Sequence, residues 1–466
     1  MNRSVLKQCD GVAVDKATIE AFRNEFRGQA LLPGDTCYDW ARRIWNASID
    51  KYPGLIARCS GAADVVLAVK FARTNNLLVA VKSGGHNVAG RSLCDDGIVI
   101  DLSAMNAVSV EPELRKVSVQ AGALLGDIDR ETHLHGLAVP AGLVSKTGIA
   151  GLTLGGGTGW LVRKYGLTCD NLLSCEVVTA KGEVVSANDK TNADLFWGLR
   201  GGGGNFGVVT SFLFQAHPVS AVLGGPVIFA RDQAAAVLRF YRDFMASAPE
   251  ELTAYAGLVS TPDHMPAVGV MACYCGDPSK GERVLKPLRT FASPLFDAIQ
   301  LMPYPVMQKL ADEFNPDNAH NYWRSTFLKK LSDEAIDLII DYGNRAESPL
   351  ANTIIQLYGG AMSRVGCADT AFAHRQAEYN VMIETTWINS AESNKHIAWA
   401  RAFSEALKPY SSNAYLLNYL GDEGPDVVRR AFGGNYARLA ELKAKYDPTN
   451  FFSLNQNIEP GINECS

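Results

Sequence analysis

The chain is 466 residues long, 47% hydrophobic and 20% charged, with a formal net charge of −5. That length exceeds what one hydrophobic core organises, so two or three domains are expected. The charge balance offers no basic face for nucleic acid and no polybasic membrane anchor, and no stretch is apolar for long enough to span a bilayer.

In chain order, the opening MNRSVLKQCD lacks the apolar run of a signal peptide, which predicts a cytoplasmic protein. Residues 55–82 then alternate types. A short apolar strand is followed by Val65, Val66, Ala68, Val69 and Ala72 at helical spacing, and then by the strand LLVAVK. This β-α-β unit runs directly into SGGHNVAG, so His86 sits at the end of a glycine hinge. Four roles are open to that imidazole: metal ligand, general base, turn filler, or attachment to something large. GIVIDLS and RKVSVQAG supply further strands, and SCEVVTAKGEVVSAN reads as a hairpin about Lys181–Gly182. The glycine-rich character stops near 217–220. Beyond it, helical stretches such as DQAAAVLRFYRDFMASAP mix with strand-like runs such as ANTIIQLYGGAMS, an α/β or α+β arrangement. The tail returns to aromatic and polar patches. Ten cysteines are scattered without paired spacing. Cys273 and Cys275 fall on one face of a strand-like run with no second pair to complete a zinc site, so reduced, mostly buried thiols and no metal are expected.

Three glycine loops could cradle phosphate: residues 83–92, 147–160 and 200–209. Gly202, Gly204 and Gly207 satisfy G-x-G-x-x-G, but the following VVTSFLFQ reads as a strand. The dinucleotide fingerprint of a Rossmann fold requires a helix there. No P-loop motif occurs either. Three such loops within about 130 residues fit one long ligand touched at several points, because glycine is entropically costly where its backbone freedom is not needed.

Taken together, SGGHNVAG, GLTLGGGTGWLVRKYGLTCDNL, DLFWGLRGGGGNFGVVTSF, GGAMSRVGCADTAFAHR and YDPTNFFSLNQNI form an ordered set. The set resembles the FAD-linked oxidases of the berberine bridge enzyme and 6-hydroxy-D-nicotine oxidase type, within the vanillyl-alcohol oxidase and p-cresol methylhydroxylase superfamily. The resemblance implies an α+β, two-domain fold of vanillyl-alcohol-oxidase type. Residues 1–218 would form the FAD-binding domain, 219–405 an inserted α/β substrate domain, and 406–466 a segment returning to the FAD domain. It implies that His86 is joined to the 8α carbon of FAD. Other flavin contacts carry over onto Ser83, Gly84, Gly85, Asn87, Val88 and Ser92, then onto Thr147, Gly148, Gly151, Gly157, Thr158 and Gly159. Asn205, Gly207 and Val208 follow in the third loop, with Asn455, Gln456 and Asn457 in the tail. Many relatives add a cysteinyl bond, but Val144 occupies that position and Leu152 stands where a histidine often precedes the triple glycine. One covalent bond is therefore expected.

For catalysis, the resemblance points to Tyr419 as base, with Tyr415 as a second candidate on the same face if NAYLLNYLGD is a strand. A free tyrosine has a pKa near ~10, so a base role needs a nearby cation or a hydrogen-bond relay. The glutamate of berberine bridge enzyme is replaced by Ser363 and Arg364, which leaves ring closure unsupported, while His374 and Arg375 read as structural. The activity implied is removal of a hydride from an alcohol, amine or similar carbon of a small to medium, secondary-metabolite-like molecule, with O2 as acceptor giving H2O2. An oxygenase acting on a polyketide-like substrate and a dehydrogenase with another acceptor are the alternatives.

Overall fold

Alternation between strand and helix in the first hundred residues builds a small four-stranded sheet. The computed structural model describes residues 5–461. Strands Leu55–Arg58 and Val79–Lys82 both run parallel to Ile98–Asp101, which lies between them, and Gln29–Leu31 caps the edge. The crossover helix Ala62–Thr74 buries Val65, Ala68, Val69 and Ala72. Val66, expected on the same face, is only half-buried. A five-stranded antiparallel sheet follows, ordered Val108–Glu111, Lys116–Gln120, Val208–Gln215, Leu172–Val178, Val184–Asn188. Its last two strands form the expected hairpin, with Gly182 at φ +74° in the turn. The segment after Gly207 is the strand Val208–Gln215, and a helix, Ala193–Leu199, precedes the loop. That order is the reverse of a Rossmann turn.

Residues beyond 220 form an eight-stranded sheet in which every pairing is antiparallel. This half, expected as an α/β substrate domain, is instead α+β: its strands are all antiparallel, with the long helices on one face and the short helix Tyr304–Lys309 on the other. Helices Ala234–Ala246, Asp333–Asn344 and Ser393–Leu407 cover the first face. Residues of one parity, such as Ala254, Ala256, Val268, Val270, Ile355, Val381 and Ile383, pack with these helices into one core. Residues of the other parity, Tyr255, Met271, Ile354, Gln356, Met382 and Glu384, face a cavity on the opposite side. The four strands that carry these residues thus have one dry face and one face open to the cavity.

The tail is tied back to the third glycine loop. Lys443, fully buried, donates to the Asn205 carbonyl (2.8 Å), the Phe452 carbonyl (3.1 Å) and Asp447 Oδ2 (2.6 Å). Asn205 then donates through Nδ2 to the Gly202 and Gln456 carbonyls, and its Oδ1 accepts from the Ile458 amide. Arg375 is equally buried and meets Asp170 with two 2.7 Å bonds, which makes it the structural residue expected. Ser363 bonds the Gly360 carbonyl, and Arg364 pairs with Glu250 at the surface. Six of the nine cysteines in the described residues are buried and all nine are free. No helix among these residues is long and apolar enough to cross a membrane, and no group of potential metal ligands occurs in them.

Candidate flavin and substrate site

A cavity of about 800 Å³ lies between the glycine loops and the open face of the large sheet. The first loop leaves strand Val79–Lys82 with Ser83 Oγ donating to the Ala121 carbonyl (2.6 Å). Gly84 then passes Gly148 of the second loop so closely that a Cβ on either would sit within 2.5 Å of the other's backbone nitrogen. Only glycine permits that approach. At Gly151 and Gly204 the situation is opposite: a Cβ would meet nothing within 4 Å, so both leave open space along the cavity wall.

His86 faces this space with its ring stacked on Trp45 (centroids 4.3 Å apart, 12° between planes). Burial pushes its pKa down to about 4, so the imidazole is neutral at physiological pH. Its Nε2 has no hydrogen-bond partner, nor do Ser92 Oγ, Asn455 Oδ1 and Gln456 Oε1 along the same cavity. Buried polar atoms are normally satisfied. Their clustering here, with two unfilled glycine positions, fits a large polar ligand held at several points, as FAD would be.

The structure brings together most of the sequence-derived positions. Ser83, Gly84, Gly85, His86, Asn87 and Ser92 line the cavity from the first loop, and Thr147, Gly148, Gly151 and Thr158 from the second. Gly207, Val208, Asn455 and Gln456 complete the set. Five flavin-contact candidates lie off the wall. Val88 is buried beside Trp45, Trp323 and Met382, with its carbonyl taken by Asn46 (2.8 Å). Gly157 turns at φ +80° against Thr168, and Gly159 is pressed onto the Ala141 carbonyl while its own carbonyl accepts from Tyr255. Asn205 clamps the tail as described, and Asn457 holds a buried, unpartnered Oδ1.

The segment bearing both tyrosines is a correction. Residues 415–419 are not a strand: Leu417–Tyr419 form a 3₁₀ turn, so alternation does not put the two rings on one face. Asn418 pins this turn by donating to the Leu152 carbonyl (3.0 Å) and accepting from the Gly157 amide (3.3 Å). Tyr415 packs on the core shared with the glycine loops, away from the cavity. Tyr419 lines it. Its oxygen accepts from Gln356 Nε2 (3.2 Å) and lies 3.4 Å from Thr158 Oγ1, while Tyr358 donates to Gln356 Oε1 (2.6 Å) and Asn380 Nδ2 donates to the same oxygen (3.1 Å). Burial raises the Tyr419 pKa, and the field of Glu384 raises it further, against the hydrogen bonds from Thr158 and Gln356. The phenol is therefore a proton donor at neutral pH.

Sequence reasoning missed Trp45, Trp323, Gln356, Tyr358 and Glu384. For Glu384 a signal existed: in YNVMIETTW it shares the parity of Asn380 and Met382 and is the strand's one charged residue. Trp45 stands in an irregular turn, where no periodicity marks it.

With this geometry in view, the comparisons with known proteins are consistent. Residues 53–188 match the FAD binding domain family and residues 414–459 the berberine and berberine-like family. An FAD-linked oxidoreductase of Dictyostelium discoideum is 34% identical over 89% of this chain and 91% of its own. The (R)-6-hydroxynicotine oxidase of Paenarthrobacter nicotinovorans is 31% identical over 93% and 97%. The solved structure of 6-hydroxy-D-nicotine oxidase from Arthrobacter nicotinovorans superposes with a TM-score of 0.87 at 30% identity, covering 94% of this chain and 98% of that one. These define an FAD-dependent oxidoreductase with the fold of that enzyme class. The chain belongs to the berberine bridge enzyme-like family of FAD-linked oxidoreductases.

Proposed function

We propose that the protein oxidises an alcohol, amine or similar carbon centre of a small to medium organic molecule, with O2 as acceptor and H2O2 as product. The observation that carries this reading is the neutral His86, its Nε2 unpartnered, facing a cavity floored by glycine loops and walled by a sheet with its own polar groups. His86 would hold FAD covalently through a ring nitrogen. Val144 lines the cavity with an aliphatic side chain where relatives carry a cysteine, so a single bond is proposed. FAD, when bound, supplies the hydride-accepting chemistry and the reaction with O2.

The chain's own residues bind and orient. Tyr419 would hold the substrate's oxygen or nitrogen through its hydroxyl, a reading supported by Gln356 occupying one lone pair of that oxygen and by the long contact to Thr158. Gln356 is in turn fixed by Tyr358 and Asn380. The apolar lining of Met271, Ile354 and Met382 excludes water around the reacting carbon. Acid denaturation tests the reading: the yellow colour should remain with the precipitated protein, intact mass should show one FAD, and His86→Ala should release it. Stoichiometric peroxide during turnover identifies an oxidase. Low peroxide with oxygen incorporated into product would favour an oxygenase, and slow reoxidation by O2 a dehydrogenase. Flavin absent from both fractions would sink the proposal.

A further inference from the structure

Across the open face of the large sheet, the polar groups fall into two separate rows. At one end Gln356 and Asn380 are cross-strand partners, and with Tyr358 and Tyr419 they bond mainly to one another. Four residues further along its strand, about 13 Å at the usual rise, Glu384 stands opposite Trp323 on one neighbour and Asn352 on the other. Between these rows lie Met382 and Ile354.

Glu384, half-buried, differs from the carboxylates that the fold buries. Asp447 is paired with Lys443, Asp170 with Arg375, and Asp101 with Lys82. Asp129 lacks a partner for its Oδ2 but does not line the cavity. Glu384 opens on the cavity, and burial alone pushes its pKa up to about 7, with no hydrogen bond or counter-charge offsetting it. The elements packed against it bring Trp323 and Asn352, which carry no charge, and Tyr419, which stays protonated through neutral pH. Of the other charged residues on the cavity, Arg91 is engaged by Asp422 (2.6 Å) and Glu313 is exposed to solvent. A lone carboxylate in an apolar wall, beside the indole of Trp323, is completed by a cation that both a charge and a π face can receive.

We propose that Glu384, with Trp323 and Asn352, forms a subsite for a protonated amino group of the substrate, so that the cavity selects cationic amines over neutral alcohols of the same shape. This rests on the oxidoreductase reading for its meaning, but binding can be tested apart from turnover. Benzylamine and tryptamine, with benzyl alcohol and tryptophol as neutral counterparts, would be titrated calorimetrically into the purified holoprotein at pH 8. Each amine should bind about tenfold or more tighter than its alcohol. Glu384→Gln should abolish that preference without weakening the alcohols, and Glu384→Asp should retain part of it. Melting curves of both variants would confirm that they are folded. The amine preference should also weaken below pH 7, as Glu384 takes a proton. Equal binding of amine and alcohol, no binding of either amine, or an unchanged preference in folded Glu384→Gln would overturn the proposal. A protein that selects amines but carries no flavin would keep this inference and lose the functional reading. A flavoprotein without amine preference would do the reverse.

Discussion

The two walls of the cavity are built on different principles. The loop wall is made of backbone: Gly84 against Gly148, the open positions Gly151 and Gly204, and a histidine whose ring lies on Trp45. The sheet wall is made of side chains that strand register brings together from residues 255, 271, 323, 354, 356, 382 and 384. Where Gly84 crosses Gly148 the loop wall tolerates no side chain, because a Cβ has nowhere to go. A sheet wall can exchange side chains while its pairing stays intact. The first suits a cofactor that does not change, and the second a substrate that differs between relatives.

The largest effects should come from breaking the support of the loop wall. Lys443→Met leaves Asp447 buried without its partner, at a cost of about 3–5 kcal/mol, and frees the Asn205 and Phe452 carbonyls. Denaturant midpoints should fall accordingly, and flavin content with them. Gly148→Ala places a methyl 2.4 Å from the Gly84 nitrogen. Expression in the presence of excess FAD should yield little covalent flavoprotein, whereas Gly151→Ala, with open space at its Cβ, should fold normally and alter only cofactor binding.

On the sheet side, Tyr419→Phe should lower kcat by about a hundredfold or more, with Tyr415→Phe near wild type. Equal losses in both would contradict the placement of Tyr415 in the core. A smaller effect concerns pH. Because His86 is neutral down to about pH 4, covalent loading of flavin-free protein with added FAD should keep its rate from pH 8 to pH 5 and fall only near 4. An onset of the loss near pH 6.5 would mean that the ring is not desolvated. The smallest is thermal. The Glu384 carboxyl has a folded pKa of about 7, above its ordinary value of 4.5, so its neutral form favours folding at low pH and this advantage is lost as pH rises through 7. Glu384→Gln should therefore melt like wild type at pH 4 and above it at pH 8.

This asymmetry also explains what could be read from the residues alone. His86 and the three loops were legible because a glycine needed for close approach leaves its mark at its own position. So did the strand after Gly207, through the β-branched pair VV. The sheet wall was largely illegible: Gln356, Tyr358 and Glu384 become neighbours of Tyr419 only through pairings over long sequence distances. Tyr415 was misplaced because alternation was assumed for a segment that Asn418 winds into a 3₁₀ turn. The buried clamp of Lys443 and Asp447 had no visible counterpart in sequence, since its other partners are main-chain carbonyls.

That clamp has a consequence for how the protein is made. Asn455 and Gln456, which close the cavity, are held through Asn205 and Lys443, so a nascent chain that has produced all three glycine loops still lacks one side of the cofactor's enclosure. Ribosomal synthesis proceeds at about 5–20 residues per second, and more than two hundred residues separate the third loop from the segment that seals it. Capture of a cofactor held from both sides would thereby follow translation of the large sheet, and a chain ending before residue 455 would carry all three loops without the segment that closes the cavity.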